Sequence, residues 1–273
     1  MQDAPIGIFD SGIGGLTVAR AIHELLPDES TIYLGDTARV PYGPKSPETV
    51  RRYSREILAW LLSQGVKAVV VACNTATAHA LDDLRQHSTV PVIGVIDPGA
   101  RAAAHATTGG TVGVIGTAGT IASGAYRRAL LRERPGLTVI EQACPLLVPF
   151  VEEGWLARPA TRLVVEEYLA PLQHGGIDTL VLGCTHYPLL KPLLAEELGP
   201  GVRLIDSADE TARDLERTLS AAGLKAPKGG RQPAQRWAAT DDVERFGRVG
   251  AVFMGEAPGK VELVTLEGEQ PLS

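Results

Sequence analysis

Blocks of positive charge are missing from this chain. Twenty-six Lys and Arg stand against 32 Asp and Glu, a net charge of −6, and no stretch gathers the cations. Nucleic acid and anionic membrane are therefore not expected as main partners. A small anion stays open, because the local site and not the total charge decides its binding. No apolar run approaches the roughly 20 residues of a membrane span. Met1 to Pro5 has neither the positive start nor the long apolar stretch of a secretory leader. A soluble, cytoplasmic protein is the expectation. Cysteine is scarce too: Cys73, Cys144 and Cys184 are three in 273 residues, an odd number that suits free thiols in a reducing compartment. No CxxC or HxxxH spacing occurs, so no metal site is expected. Gly12-Ile13-Gly14-Gly15 has the wrong spacing for a dinucleotide fingerprint, and no suitable acidic residue follows. Its glycines read as a tight turn that lets a helix pack closely on a strand.

What is present is ordinary globular material, 44% hydrophobic and 21% charged, enough for one large domain or two small ones. Strand and helix signals alternate. Pro5–Asp10, Thr31–Leu34, Lys67–Ala72 and Val92–Ile96 read as strands, and Lys67–Ala72 (KAVVVA) is apolar throughout, as a strand buried on both faces should be. Leu16–Leu26, Pro47–Gln64 and Thr75–Gln86 read as helices, with Pro47 suited to a first turn. This grammar predicts an α/β fold with mainly parallel sheets covered by helices.

The pattern then begins again. Ile6–Gly12 is echoed by Val112–Ala118, Val69–Leu81 by Leu180–Leu194, and Ile96-Asp97-Pro98 by Ile205-Asp206-Ser207. Ser11 to Thr117, Cys73 to Cys184 and Asp97 to Asp206 are 106, 111 and 109 residues apart. Three anchors in one order at near-equal offsets point to an internal duplication. Two similar lobes related by a pseudo-two-fold axis are expected. The first comprises residues 1–97 plus 207–273, and the second 98–206. The chain should cross near Asp97-Pro98-Gly99 and return near Asp206-Ser207. The stretch Lys225–Pro233 should then rejoin the first lobe, and Val261–Leu266 should form a last edge strand.

Ligands of open parallel sheets bind at the carboxyl ends of the strands. Here those ends carry Asp10-Ser11, Cys73-Asn74-Thr75, Gly116-Thr117 and Cys184-Thr185-His186. If the lobes face each other, all four clusters point into one interlobe cleft, with the two cysteines opposed across it. Inverting a carbon centre needs that arrangement: one group removes the α-proton from one face while another delivers a proton to the opposite face. A thiol, with an ordinary pKa of about 8.5, is suited to both roles. Each cysteine lies just before an expected helix start, which should favour its thiolate. Asp10 and His186 are the candidates for helping to move the protons. Ser11, Asn74, Thr75 and Thr185 offer hydroxyls and helix-start amides to a carboxylate, Thr117 stands at the matching strand end, and Asp10 could instead meet an ammonium.

At these residues the chain resembles the glutamate racemases that supply D-glutamate for bacterial peptidoglycan. The resemblance spans essentially the whole chain: GIFDSGIGGLTV, YLGDTARVPYG, VVACNTATA, ACPLLVPFVEEG and LVLGCTHYPLL. It implies two similar α/β lobes and racemisation without pyridoxal phosphate, metal or nucleotide. It implies that Cys73 takes the proton from D-glutamate and Cys184 from L-glutamate, with Asp10 and His186 assisting and Glu152 a further carboxylate near the site. Asp10, Ser11, Tyr42, Gly43, Asn74, Thr75, Thr185 and His186 match substrate-binding positions. A homodimer is expected because relatives commonly form one. Some relatives carry an N-terminal extension that takes part in activation by a cell-wall precursor. This chain starts almost at its first strand, so that regulation is not expected.

Plainer readings stand beside these. Cys144, before Pro145 and an apolar run, reads as a buried structural thiol. His23, His79, His87, His105 and His174 lack comparable neighbours and read as surface or structural. Tyr42, in the loop Val40–Pro44, suits a packed loop as well as a site cover. Glu152 with Glu153 also suits an exposed helix face. The rival functions are a racemase or isomerase of the same architecture acting on aspartate or another small dicarboxylate, a non-catalytic two-lobed anion binder, and a thiol oxidoreductase. The binder does not explain cysteines at both equivalent positions.

Overall fold

The computed structural model describes residues 2–227, 229 and 232–266. Expectations for Met1, for 228, 230 and 231 within the Lys225–Pro233 stretch, and for 267–273 of the first lobe lie outside the described residues. In chain order the elements are β1 (Ile6–Asp10), α1 (Leu16–Leu25), β2 (Thr31–Gly35), α2 (Pro47–Ser63), β3 (Ala68–Val71), α3 (Asn74–His87), β4 (Val92–Gly94) and α4 (Ile96–Ala106). Then follow β5 (Thr111–Gly116), α5 (Ala118–Ser123), α6 (Ala125–Glu133), β6 (Thr138–Ala143), α7 (Leu147–Glu152), α8 (Pro159–His174) and β7 (Thr179–Gly183). A 3-10 turn over Tyr187–Leu190 leads to α9 (Lys191–Leu198), β8 (Arg203–Ile205), α10 (Ala208–Ala221), β9 (Gln235–Ala239), α11 (Val243–Met254) and β10 (Val261–Leu263).

Two sheets result. One has the order β10-β9-β2-β1-β3-β4, the other β6-β5-β7-β8, and each strand pair is parallel. The order β2-β1-β3-β4 is repeated as β6-β5-β7-β8, so the duplication read in the sequence is a duplication of topology. Cys73 follows β3 and Cys184 follows β7, the same place in each sheet. β3 is buried over its whole length, and burying each of its valines contributes about 1.5–3 kcal/mol relative to exposure. Such a strand leaves little freedom to the residue that follows it. Helix α2 starts where expected: Ser46 accepts from the Thr49 amide at 3.3 Å and Pro47 opens the first turn.

Three expectations need correction. Val92–Ile96 is not all strand: β4 ends at Gly94 and Ile96 opens α4. The crossing between sheets is therefore helical, and Pro98 fits because a first-turn proline has no amide that must be satisfied. The last edge strand stops at Leu263 rather than Leu266. Finally, no α-helix starts directly after Cys184. The Tyr187 amide bonds the Cys184 carbonyl at 3.1 Å and the Leu189 amide the His186 carbonyl at 3.2 Å, a tight turn. Pro188 and Pro192 lack the amides a regular α-helix would need there, and α9 begins only at Lys191. Among the described residues, no helix is long and apolar enough to cross a membrane.

Candidate active site

The loop Ser11–Gly15 between β1 and α1 is the floor of the site. A Cβ placed on Gly14 would lie 2.5 Å from His186 Nδ1 and would overlap the Thr185 hydroxyl. One on Gly15 would lie 2.6 Å from the Asp10 Cβ and 2.9 Å from the Tyr33 hydroxyl. The turn thus touches the Cys184 side with one glycine and the Cys73 side with the next. The sequence motif showed a tight turn; the structure shows why neither glycine has room for a methyl group.

Cys73 is the N-cap of α3. Its sulfur accepts from the Ala76 amide at 3.4 Å and its thiol donates to Ser11 Oγ at 3.5 Å. Asp10 is buried behind it, and its Oδ2 accepts from the Gly12 amide at 3.0 Å. Burial raises the Asp10 carboxyl above the ordinary range, against the opposing pull of His186 and of the amides of Gly12, Gly15 and Ser11. Helix-start position alone would favour a thiolate, but burial and the neighbouring Asp10 charge outweigh it and push the Cys73 thiol up to about 12. For this cysteine the expectation of a depressed value is reversed.

Cys184 has a different setting. Its sulfur lies 3.8 Å from His186 Nδ1, with the Thr185 hydroxyl 3.5 Å from the same nitrogen. His186 Nε2–H donates to Glu152 Oε1 at 3.0 Å. With Nε2 so committed, Nδ1 accepts from the thiol when the ring is neutral and donates to the sulfur when it is charged. Burial alone would lower the imidazole pKa. Hydrogen bonds to Cys184 and Glu152, and their charges, reverse this and raise it to about 10. Burial likewise works against the Glu152 anion, yet the His186 bond and the charges of His186 and Arg245 hold its carboxyl below the ordinary value. Glu152 is therefore tied to the site and is not a free helix-face carboxylate.

The two sides meet through hydroxyls. Thr75 bonds Thr117 at 2.9 Å and Thr120 at 3.2 Å, and Tyr126 donates to Asn74 Oδ1 at 2.7 Å. Thr117 also caps α5 by accepting from the Thr120 amide at 3.2 Å, and it lies against Gly43. The Gly43 carbonyl accepts from the Gly119 amide at 2.9 Å, and His79 bonds the Gly119 carbonyl at 3.0 Å. His79, read from sequence as unremarkable, thus joins the two sheets' helices. The Tyr42 ring is buried and its hydroxyl donates to Asp36, which also accepts from Arg39 at 2.7 Å and Thr240 at 2.9 Å. This network fastens the loop carrying Gly43. Beside it lies a largely apolar cavity of about 360 Å³ lined by Val40, Gly43, Thr117, Val148 and Glu152 among others.

Two buried polar atoms beside Cys73 have no hydrogen-bond partner among the described residues: Asp10 Oδ1, an acceptor, and Asn74 Nδ2, a donor. Such groups are costly unless something satisfies them. Among the described residues no cluster of three or more His, Cys, Asp or Glu is arranged to hold a metal ion. Cys144 is buried with its thiol on the Gln142 carbonyl at 3.6 Å. Sequence reading missed Tyr126 and Arg245. Nothing local marks either one, because each meets the site from a distant part of the chain.

A model of the Asp/Glu/Hydantoin racemase family matches residues 7–215. A glutamate racemase of Geobacter metallireducens is 52% identical over 97% of this chain and 98% of its own. Among solved structures, a glutamate racemase isoform of Bacillus anthracis has a TM-score of 0.93 at 43% identity, covering 97% of this chain and 99% of its own. The Francisella tularensis glutamate racemase in complex with D-glutamate has a TM-score of 0.92 at 37% identity, covering 98% and 99%. An aspartate racemase of Picrophilus torridus, at 19% identity and a TM-score of 0.53, shares only the fold. By family model, sequence relatives and architecture together, this chain belongs to the Asp/Glu/hydantoin racemase family.

Proposed function

We propose that this chain interconverts L- and D-glutamate by two thiols acting from opposite faces of the α-carbon. One observation carries the reading: buried cysteines at the equivalent ends of β3 and β7, beside an unpartnered carboxylate oxygen and an unpartnered amide nitrogen. Asp10 Oδ1 suits the substrate ammonium. Asn74 Nδ2, with the hydroxyls of Ser11, Thr75, Thr117 and Thr185, suits a carboxylate. Burial first and the Asp10 charge second hold up the Cys73 thiol; an ammonium at Asp10 offsets the second of these, so substrate binding eases formation of the base it needs. Cys184 takes the proton from L-glutamate, Cys73 delivers one to the other face, and the roles reverse from D-glutamate. His186 and Glu152 serve the Cys184 side and Asp10 the Cys73 side. Tyr42 acts by holding its loop through Asp36, which leaves the Gly43 backbone to line the cleft.

Glutamate rather than aspartate is supported by relatives at about half identity over nearly the full chain, all described as glutamate racemases. The D-glutamate so formed is a peptidoglycan precursor. The lobes comprise 1–97 with 207–273, and 98–206. The strands support this division, since one sheet draws on Ile6–Gly94 and Gln235–Leu263 and the other on Thr111–Ile205. The protein works in the cytoplasm as a homodimer. The test is circular dichroism at fixed wavelength on L-glutamate, with L-aspartate in parallel, EDTA present and no cofactor added. The glutamate signal should decay to zero, and Cys73→Ser and Cys184→Ser should each slow it by about a hundredfold or more. Decay with aspartate alone changes the substrate. A flat signal with both, from folded protein, favours the anion-binder reading.

A further inference from the structure

The His186 ring is held on three sides. Cys184 and Thr185 face Nδ1, Glu152 takes Nε2–H, and Phe253 meets the ring edge-on with centroids 5.3 Å apart at 84°. Phe253 belongs to α11, and so does Arg245. Glu152 ends α7, on the opposite side of the cleft. Its oxygens are divided: Oε1 faces His186, and Oε2 lies 3.2 Å from Arg245 Nη2. A carboxylate held at one oxygen alone is free to swing; the guanidinium on the other fixes its plane toward the imidazole.

Arg245 is itself placed with care. Asp242, with φ of 42°, is the one non-glycine residue with positive φ among the described residues. A left-handed backbone at such a residue costs about 1 kcal/mol or more. Its carboxylate caps α11 by accepting from the Arg245 amide at 2.9 Å. The next residue, Phe246, is buried against Tyr33 with ring centroids 5.8 Å apart. The turn and the anchor set where the Arg245 side chain leaves the helix. That side chain is 39% exposed and also lies 3.6 Å from Glu153, so solvent screens its charge and its effect is moderate.

We propose that Arg245 is a positioning residue for the Cys184 half of the reaction, acting across the cleft through Glu152 on His186. This rests on the two-thiol reading above. Arg245→Gln should lower kcat about tenfold and leave KM for glutamate within about twofold, while Arg245→Lys restores most of the loss. The primary deuterium isotope effect on kcat/KM should rise for α-deuterated L-glutamate and fall for the D isomer, because only the Cys184 step is slowed. Arg245→Gln should add little to Glu152→Gln. A second readout needs no turnover: the downfield Nε2 proton of His186, bonded to carboxylate, should be seen by NMR in wild type and Arg245→Lys and be lost in Arg245→Gln. Unchanged kcat with that resonance retained in Arg245→Gln overturns the proposal. So does an equal change of both isotope effects, or full additivity with Glu152→Gln. If wild-type protein leaves glutamate untouched, the racemase reading fails, while the resonance still decides whether Arg245 holds Glu152 on His186.

Discussion

Cys73 and Cys184 occupy the same place in two copies of one topology, yet their surroundings differ in kind. Cys73 caps a helix, donates to Ser11 and has the buried Asp10 carboxyl behind it. Cys184 caps nothing; it has His186 at 3.8 Å, then Glu152 at 3.0 Å from that ring, then Arg245 at 3.2 Å from the carboxylate. One side sets a thiol against a buried carboxyl, and the other sets a sulfur against an imidazole whose pKa hydrogen bonds to Cys184 and Glu152 raise, against burial, to about 10. Duplication supplies symmetric positions for two proton-transfer groups. Divergence of the residues around them lets each hold its proton differently, as a base for one enantiomer and an acid for the other must.

Removing each side's assistant breaks the comparison most strongly. His186→Asn and Asp10→Asn should each reduce kcat about a hundredfold. They should do so with opposite isotope signatures: the larger effect for α-deuterated L-glutamate in the first, and for the D isomer in the second. Matching signatures would mean the two sides are not functionally distinct. Steady-state rates with both deuterated enantiomers decide it.

A steric pair comes next. Gly14→Ala drives a methyl group into Thr185 and His186, whereas Gly15→Ala drives one into Asp10 and the Tyr33 hydroxyl. Each should cost about 1–3 kcal/mol of stability by overpacking, read from denaturant midpoints. The first should skew the isotope effects as His186→Asn does, the second as Asp10→Asn does. A tolerated alanine at both positions would contradict the close approach of the loop.

The smallest effect is a titration. The Cys73 thiol, pushed up to about 12 by burial and by Asp10, should contribute almost no thiolate absorbance at 240 nm below pH 9. Asp10→Asn removes the negative charge that opposes ionisation, so thiolate should appear at lower pH. The difference spectrum against Cys73→Ser isolates this sulfur. No downward movement would mean that Asp10 does not act on it.

Much of this was legible in the sequence, for identifiable reasons. Strands such as Ala68–Val71 announce themselves as unbroken apolar runs, and the polar residues after them mark the sheet's ligand-binding end. The offset between Cys73 and Cys184 made the pair visible before any fold was known. Strand β9 was not legible, because Gln235-Arg236 begins it with exposed polar residues and its place between β2 and β10 is set by distant pairing. Helix α11 does carry local signals: Asp242 as cap, apolar residues at Phe246 and Phe253, and Gly255 at its end. Its role was beyond local pattern, since Arg245 meets Glu152 across 93 positions of sequence. The asymmetry around the thiols is tertiary in the same sense. The helix after Cys184 looked like the helix after Cys73 until Pro188 and Pro192 turned it into a 3-10 turn.

The central claim is that two different groups handle the proton on the two faces. The most direct measurement follows L-glutamate in deuterium oxide at early times, analysing both enantiomers by chiral separation and mass spectrometry. Two opposed thiols predict D-glutamate carrying one deuterium at the α-carbon from the first turnovers, while the remaining L-glutamate keeps its protium. D-glutamate that retains protium, or L-glutamate that gains deuterium as fast as product forms, would show a single group serving both faces and would contradict the account.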